Sequence, residues 1–458
     1  MRLRSSMPHT LYILGLLLIF PVIVLGQLLW VLDPIRLPGG LYLIDYVHML
    51  IAITAVIPIL WTITAVRLWI TGPGPASIVL LTLRILVTAA SLMAIFMILS
   101  NPKQLFVLGL SLAVAIFGVL ADLMVSEYRV RKAWPYRSTI WVVSMGIVLS
   151  LLLCPTGYLV TYPGMTMNMH RYADVEGGTK QGSISGVLIF ERPAFPVDWL
   201  YAALFPHYTF EKQEELGMSL GEYQHVVRMM KSDANTVAAA VALGKLGIGE
   251  GVTYHGVIVA AVVADSPVKG VLMPGDVIVE MNGESVTRPE QLLQMMSMVR
   301  PQQTVDLEVI REGSRVQLQV KTAASQEDPE RSVMGIQIME DIRYDVPREI
   351  AYTPYLLHEG GPSHGAMLTL AIIDQLTPGG VTYGQTIAGT GTIRPDGSIG
   401  WIGGIQQKAY TVEKSGADVF FVPKGQEEEA QLGAGELNIV PVRTIDDILL
   451  WLKQHPDG

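Results

Sequence analysis

A single cysteine, Cys154, occurs in 458 residues, and it lies inside an apolar run. An intrachain disulfide, a cysteine-rich zinc site and a Cys-x-x-Cys redox motif are thereby excluded. No Gly-x4-Gly-Lys-Ser/Thr segment is present, so no ATPase motor is recognisable, and Gly389-x-Gly391 lacks the rest of a dinucleotide fingerprint. The one His-Glu pair, His358-Glu359, has Pro362 where a His-Glu-x-x-His metal motif needs its second histidine. No cofactor and no metal are therefore expected. Charge is also scarce: 16% of residues are charged against 50% hydrophobic, which at this length implies membrane segments. The net charge of −9 is unevenly spread, with ten Lys/Arg and four Asp/Glu in residues 1–160 against 22 and 37 thereafter. An acidic part following a basic membrane part argues against nucleic acid as a partner.

What is present begins with five apolar runs, near 10–32, 46–66, 78–99, 104–125 and 139–160, each about long enough to cross a bilayer. The first is too long and too poor in small cleavage-site residues for a signal peptide. Arg2 and Arg4, Arg67, and the group Arg129, Arg131, Lys132 and Arg137 fall in loops of one side; the other side holds only Arg36 and Lys103. The positive-inside rule then puts the amino terminus in the cytoplasm and everything after residue 160 outside it. Tyr158 and Tyr162 are expected at the outer interface of the last run. Arg84 and Asp122 lie within runs, near the cytoplasmic ends of adjacent antiparallel helices, where a mutual ion pair or snorkelling is expected.

Residues 161–248 read as a mixed α/β juxtamembrane segment. Val187 to Phe190 is strand-like, Ser219-x-x-Glu222 opens a helix through Met230, and the Ala-rich stretch Asn235 to Leu246 is a second helix. Residues 249–322 turn to short β-branched strands: Val257 to Val263, Val277 to Met281 closed by Asn282-Gly283, a helix from Pro289 to Met298, then two strands around Glu312-Gly313. This order, with Gly275-Asp276-Val277-Ile278, resembles a bacterial PDZ domain. The resemblance implies binding of an extended peptide at a sheet edge, with a carboxylate loop near Tyr254-His255-Gly256-Val257. A spacer that holds no free peptide is the competing reading. Residues 323–332 are polar and read as a linker.

Residues 333–458 form an α/β pattern: a strand from Gly335 to Met339, a helix after Ser363 that stops at Thr377-Pro378-Gly379-Gly380, and strands Thr386 to Ile393 and Ser398 to Ile402 around Pro395-Asp396-Gly397. The Lys408 helix ends at Gly416, and strand, helix, strand and helix follow. Ser363 follows Gly360-Gly361-Pro362 and precedes an apolar helical run, at a helix N-terminus suited to an oxyanion. Lys408 lies on the face of its helix that carries Ile405 and Val412, so lost hydration should lower its pKa toward that of a general base. Ser363 and Lys408 together read as a Ser-Lys hydrolytic dyad.

Gly361-Pro362-Ser363-x-Gly365, Gly389-Thr390-Gly391 and Gly403-Gly404-Ile405-x-x-Lys408 resemble the proteolytic domain of Lon-family serine proteases. With the PDZ-like segment, the region beyond the membrane is similar to bacterial membrane-anchored PDZ–Lon-like proteases. The resemblance implies Ser363 as nucleophile, Lys408 as general base and Thr390 as the residue that orients the lysine, with backbone at Gly361, Pro362 and Ser363 holding the oxyanion. It implies polypeptide substrates and, by analogy, a homo-oligomeric ring. The family usually has a small residue after the nucleophile, whereas this chain has His364, which either crowds the oxyanion position or lies outside it. The expectation is a multi-pass membrane serine endopeptidase that needs no ATP. The alternative is a non-catalytic PDZ scaffold with a degenerate protease domain.

Overall fold

In the computed structural model the described residues are 9–28, 47–71, 78–102, 104–216, 220–263, 265–326, 328–353 and 361–456. The topology-setting Arg2, Arg4, Arg36 and Lys103, the helix cap at Ser219, and His358-Glu359 lie outside them. The chain forms two compact units. The first comprises Met1–Met167, Ser185–Val226 and Gly403–Val440; the second comprises Asn168–Ile184, Val227–Ile402 and Pro441–Gly458.

The first unit opens with helices α1 (Thr10–Leu28), α2 (Val47–Thr54), α3 (Val56–Thr71), α4 (Ile78–Ser100), α5 (Leu105–Arg131) and α6 (Tyr136–Leu153). Apart from a turn at Ala55 between α2 and α3, these give five segments long and apolar enough to span a membrane. Helices apolar on every face suit a lipid surround, because every backbone polar group is satisfied internally. The fifth segment ends at Leu153, not near 160, since Pro155 and Gly157 do not continue a helix. Cys154 is consequently exposed just past the helix end rather than within the span. Tyr12, Leu16, Trp61, Val87, Val119 and Leu123 form the buried centre of the bundle. Arg84 and Asp122 meet there as expected, with Arg84 Nε 3.2 Å from Asp122 Oδ2. The pair is well supplied with partners. Arg84 also donates to Leu68 O at 2.8 Å, and Asp122 accepts from Tyr12 Oη at 3.3 Å and Ser126 Oγ at 2.9 Å.

Beyond the spans come β1 (Tyr158–Asn168), α7 (Met169–Tyr172), β2 (Ala173–Val175), β3 (Ser183–Pro193), α8 (Asp198–Leu204), β4 (Thr209–Lys212) and α9 (Leu220–Lys245). β1 lies between β3 and β4 and pairs with β4 antiparallel from Tyr158↔Lys212 to Thr161↔Thr209. Tyr162 is buried in β1 and stacked on Tyr208 at 5.1 Å, so it is a core residue and not an interface marker. The two helices expected around Met230 and Asn235 are one, α9, because no glycine or proline interrupts Leu220–Lys245 beyond Gly221 and Gly244 at its ends.

The second unit contains the PDZ-like sheet: β5 (Val252–Val262), β6 (Val277–Met281), β7 (Glu284–Ser285), helix α10 (Pro289–Ser297), β8 (Thr304–Arg311), β9 (Ser314–Lys321), the short pair β10 (Ala323–Ala324) and β11 (Ser332–Val333), and β12 (Ile336–Tyr344). Sheet order is β12-β5-β6-β8-β9, over a core of Val257, Val259, Ile278, Met281, Leu292, Leu307 and Val309. β12 pairs with β5 from Ile336↔Val262 to Tyr344↔Val252. The strand expected to enter the last domain therefore closes the PDZ-like sheet, and the boundary at 333 is displaced. Its Ile336 and Ile338 complete the same core, which the alternation of the segment did not announce.

The remaining elements are β13 (Ile350–Tyr352), α11 (Gly365–Leu376), β14 (Thr386–Gly389), β15 (Thr392–Ile393), β16 (Ile399–Gly400), α12 (Ile405–Ser415), β17 (Val419–Pro423), α13 (Glu427–Gln431), β18 (Ile439–Val442) and α14 (Ile445–Gln454). In the second unit β13 pairs with β2, and β15 with β16 across the Pro395-Asp396-Gly397 turn. In the first unit α12 packs on α13, and β17 lies beside β18 with all five residues of β17 buried.

Candidate active site

Ser363 sits in a short 3-10 turn, Pro362–His364, that runs directly into α11. Proline at the start of the turn fixes φ where no amide donor is needed. Pro362 has no N–H, however, so it cannot hold an oxyanion; within the stretch named above only Gly361 and Ser363 carry amide donors. The turn is held from two sides. Gly391 N donates to Ser363 O at 2.8 Å, Thr390 Oγ1 donates to the same oxygen at 3.2 Å, and Ala366 N donates to Gly391 O at 3.1 Å. A glycine is required at 365, because a Cβ there would stand 2.7 Å from Ile393 Cγ2 and 3.1 Å from Ile393 N. Eleven of the twelve residues of α11 are buried, so the helix behind the serine is a rigid core element.

His364 resolves part of the question raised by its position. It is fully buried, and its ring is committed to Gly361 O, 2.7 Å from Nδ1, and to the Asn235 side-chain amide, 2.8 Å from Nε2. Gly361 O can only accept, so Nδ1 carries a proton. Tyr172 packs edge-on against the ring at 5.4 Å, and its hydroxyl lies 3.0 Å from Asn235 Nδ2. The imidazole thus ties the serine turn to α9 and α7. Asn235 and Tyr172 were not legible as site residues: each is far from Ser363 in sequence and lies in a stretch with no motif. Further along α11, buried Asp374 accepts from Val381 N at 2.7 Å and stands 3.1 Å from His170 Nε2.

Lys408 belongs to the first unit, in α12. Gly404 begins that helix at φ +66, a left-handed conformation, and a Cβ there would meet Ile189 Cδ1 at 2.8 Å. Gly416 ends it, also left-handed. Ile405, Ala409 and Val412 are fully buried on the face they share with Lys408, which is only 2% exposed. Loss of hydration lowers the Lys408 pKa from 10.5 to about 7. Thr390, the expected orienting residue, is buried in the second unit against Ser363 O.

The proposed peptide loop at Tyr254-His255-Gly256-Val257 is strand rather than loop. Tyr254 pairs with Ile342, Gly256 with Asp341 and Val257 with Glu340, while Val257 also pairs with Ile278 of β6. On its β12 side this stretch has no free edge to offer a peptide; the end strand of that side of the sheet is β12. The side chain of Tyr254 lies under Arg288 and lines a cavity of about 520 Å³ together with Gln291, Glu340 and Asp396.

Residues 341–453 match the family model of the Lon protease (S16) C-terminal proteolytic domain, and residues 244–322 match that of the PDZ domain. The Lon protease of Aster yellows witches'-broom phytoplasma is 33% identical over 92 residues, which is 19% of this chain and 11% of that protein. The Lon protease of Mycoplasma genitalium is 33% identical over 98 residues, or 21% of this chain and 11% of that protein. The chain thus spans about a tenth of the length of the curated relatives it matches. Among solved structures, the PDZ domain of an SdrC-like protein from Listeria monocytogenes is 25% identical, covering 19% of this chain and 90% of that one at a TM-score of 0.18. The HtrA-type protease AlgW with decapeptide is 30% identical over 18% of this chain and 24% of that one at a TM-score of 0.15.

Proposed function

We propose that this chain, whose five apolar helices precede a PDZ domain and a Lon-type proteolytic domain, is a membrane-anchored serine endopeptidase that works through Ser363 and Lys408. The observation that carries the reading is the burial of Lys408, which leaves about half of its amine neutral near pH 7. A neutral amine can take the Ser363 hydroxyl proton as Oγ attacks the peptide carbonyl carbon. Amide donors of the serine turn, Gly361 and Ser363 themselves, stabilise the oxyanion. The lysine then protonates the leaving amine as the C–N bond breaks; water, deprotonated by the same amine, attacks the acyl carbon, and the lysine returns that proton to Oγ as the acyl C–Oγ bond breaks. Thr390 is assigned to the orientation of the lysine, and its bond to Ser363 O braces the nucleophile's turn as well.

The site acts without ATP, on exposed or unfolded polypeptide outside the cytoplasm, because the sequence carries no nucleotide motor and its loop charges orient the domains outward. Turnover of casein or a peptide by the full-length protein in detergent, compared with Ser363→Ala and Lys408→Ala, tests the assignment. Both variants should lose activity, and kcat/KM of the unaltered chain should rise through a limb near pH 7. Equal turnover in all three proteins would remove the protease reading.

A further inference from the structure

A short helix between β3 and β4 has a surface that the catalytic reading leaves unused. α8, Asp198–Leu204, is fixed at its start by a two-pronged ion pair: Arg192 places Nη1 2.8 Å from Asp198 Oδ2 and Nη2 2.6 Å from Oδ1. Asp198 and Tyr201 are buried on one face. The other face turns Trp199, Leu200 and Leu204 outward at 43%, 58% and 65% exposure. Leu200 and Leu204, four positions apart, share a helix face, and Trp199, one residue before Leu200, lies on the flank of that face, so the three exposures fall on one side of the helix.

The height of that patch is set by bonds to the membrane helices. Tyr201 Oη donates to Gln27 Oε1 at 2.9 Å, Gln27 Nε2 donates to Leu152 O at 2.8 Å, and Val197 N donates to Leu151 O at 3.1 Å. Gln27 closes the first span and Leu152 is the next-to-last residue of the fifth, so α8 lies level with the ends of two spans. Trp199 stacks on Phe210 at 4.5 Å and meets Tyr158 edge-on at 5.7 Å, giving an aromatic group at the depth where such rings favour the headgroup layer. The segment that follows α8 packs against the lysine helix. His207 packs on Tyr410 at 5.0 Å, and Thr209 Oγ1 accepts from Gln407, the residue before Lys408, at 3.4 Å.

We infer that the Trp199–Leu200–Leu204 face of α8 is seated in the headgroup layer of the bilayer that the five helices cross, and that it holds the Lys408 helix at a set height above that layer. Resting on the proteolytic reading, the substrates are membrane-proximal segments of polypeptides tethered to the same bilayer. Continuity with the span ends is what selects lipid as the occupant of the face.

The lipid seat is tested without reference to catalysis. Full-length protein with Cys154→Ser is labelled with a nitroxide at introduced cysteines (Leu200→Cys, Leu204→Cys, and Glu436→Cys as an exposed control) in phosphatidylcholine–phosphatidylglycerol vesicles. Power saturation should show labels at 200 and 204 more accessible to oxygen than to a water-soluble nickel chelate, and the label at 436 the reverse. A water-like ratio at 200 and 204, or exclusion of both reagents by a covering protein, would overturn the seat. The substrate class is read from Leu200→Glu/Leu204→Glu, which should cut cleavage of a vesicle-tethered substrate at least tenfold and leave cleavage of the same sequence as a soluble peptide unchanged. An equal fall for both substrates would overturn the tethered-substrate assignment. No cleavage of either substrate by the unaltered protein would instead remove the protease reading, with the nitroxide result standing by itself.

Discussion

Lys408 is where sequence and burial pull hardest against each other. An amine with a pKa near 10.5 in the unfolded chain and about 7 in the fold is a destabilising residue at neutral pH. The unfolded chain binds more protons between those two values, so stability rises with pH across that window. Lys408→Met should therefore raise thermal stability at pH 7, on the order of 4 kcal/mol by the ~1.4 kcal/mol per unit conversion, with the difference shrinking toward pH 10. Unfolding of the detergent-solubilised protein at both pH values checks this, and activity should be absent in the variant. His364 is the opposite case. Its ring satisfies Gly361 O and the Asn235 amide in a fully buried setting, so His364→Ala should cost about 2–3 kcal/mol and lower kcat by freeing the serine turn. Thermal unfolding and steady-state kinetics together would show it; a variant as stable as the parent would contradict that role. Ser363 and Lys408 were legible as candidates because glycines and apolar neighbours flank them at fixed spacing. Asn235 was not, because a hydrogen bond across 129 positions leaves no local pattern.

β12 is the element that most changes the reading. Its residues supply the outer strand beside β5, and Met334, Ile336 and Ile338 complete the PDZ core. A segment covering residues 244–322 leaves the β5 edge bare and part of that core uncovered, whereas 244–344 closes both. The longer segment should unfold cooperatively on heating, and the shorter should bind a hydrophobic dye and lack a sharp transition. Circular dichroism and dye fluorescence distinguish the two. The strands from β5 to β9 were readable from β-branched runs and their turns. The partner of β5 was not, since pairing across some eighty residues is decided by which edge is left open. A comparable lesson comes from Tyr162, whose aromatic character fits an interface or a core equally well until the stacking on Tyr208 places it.

At the scale of the whole molecule, the bundle of apolar helices is held by more than apolar packing. Arg84 and Asp122 are buried together with Tyr12, Ser126 and the Leu68 carbonyl as partners. Removing one charge leaves the other uncompensated, so Arg84→Met or Asp122→Leu alone should destabilise the bundle by about 3–5 kcal/mol, while the double change recovers most of that. Resistance to heat aggregation in vesicles measures it, and additive losses in the double variant would argue against a coupled pair. One compact unit carries both this bundle and the lysine helix, while the serine turn and the PDZ domain belong to the other.

The amino-acid sequence by itself determined the five long apolar segments, the glycine-bounded serine and lysine segments and the strand runs of the PDZ domain. Each of these is a local signal: hydrophobic length, turn chemistry or periodicity over a few residues. Tertiary structure alone decided which strand closes the PDZ sheet, what His364 is bonded to, how deeply Lys408 is buried and which face of α8 stays apolar and open. Those outcomes depend on contacts between residues tens to hundreds of positions apart, and desolvation and edge pairing are properties of the packed chain rather than of any stretch of it.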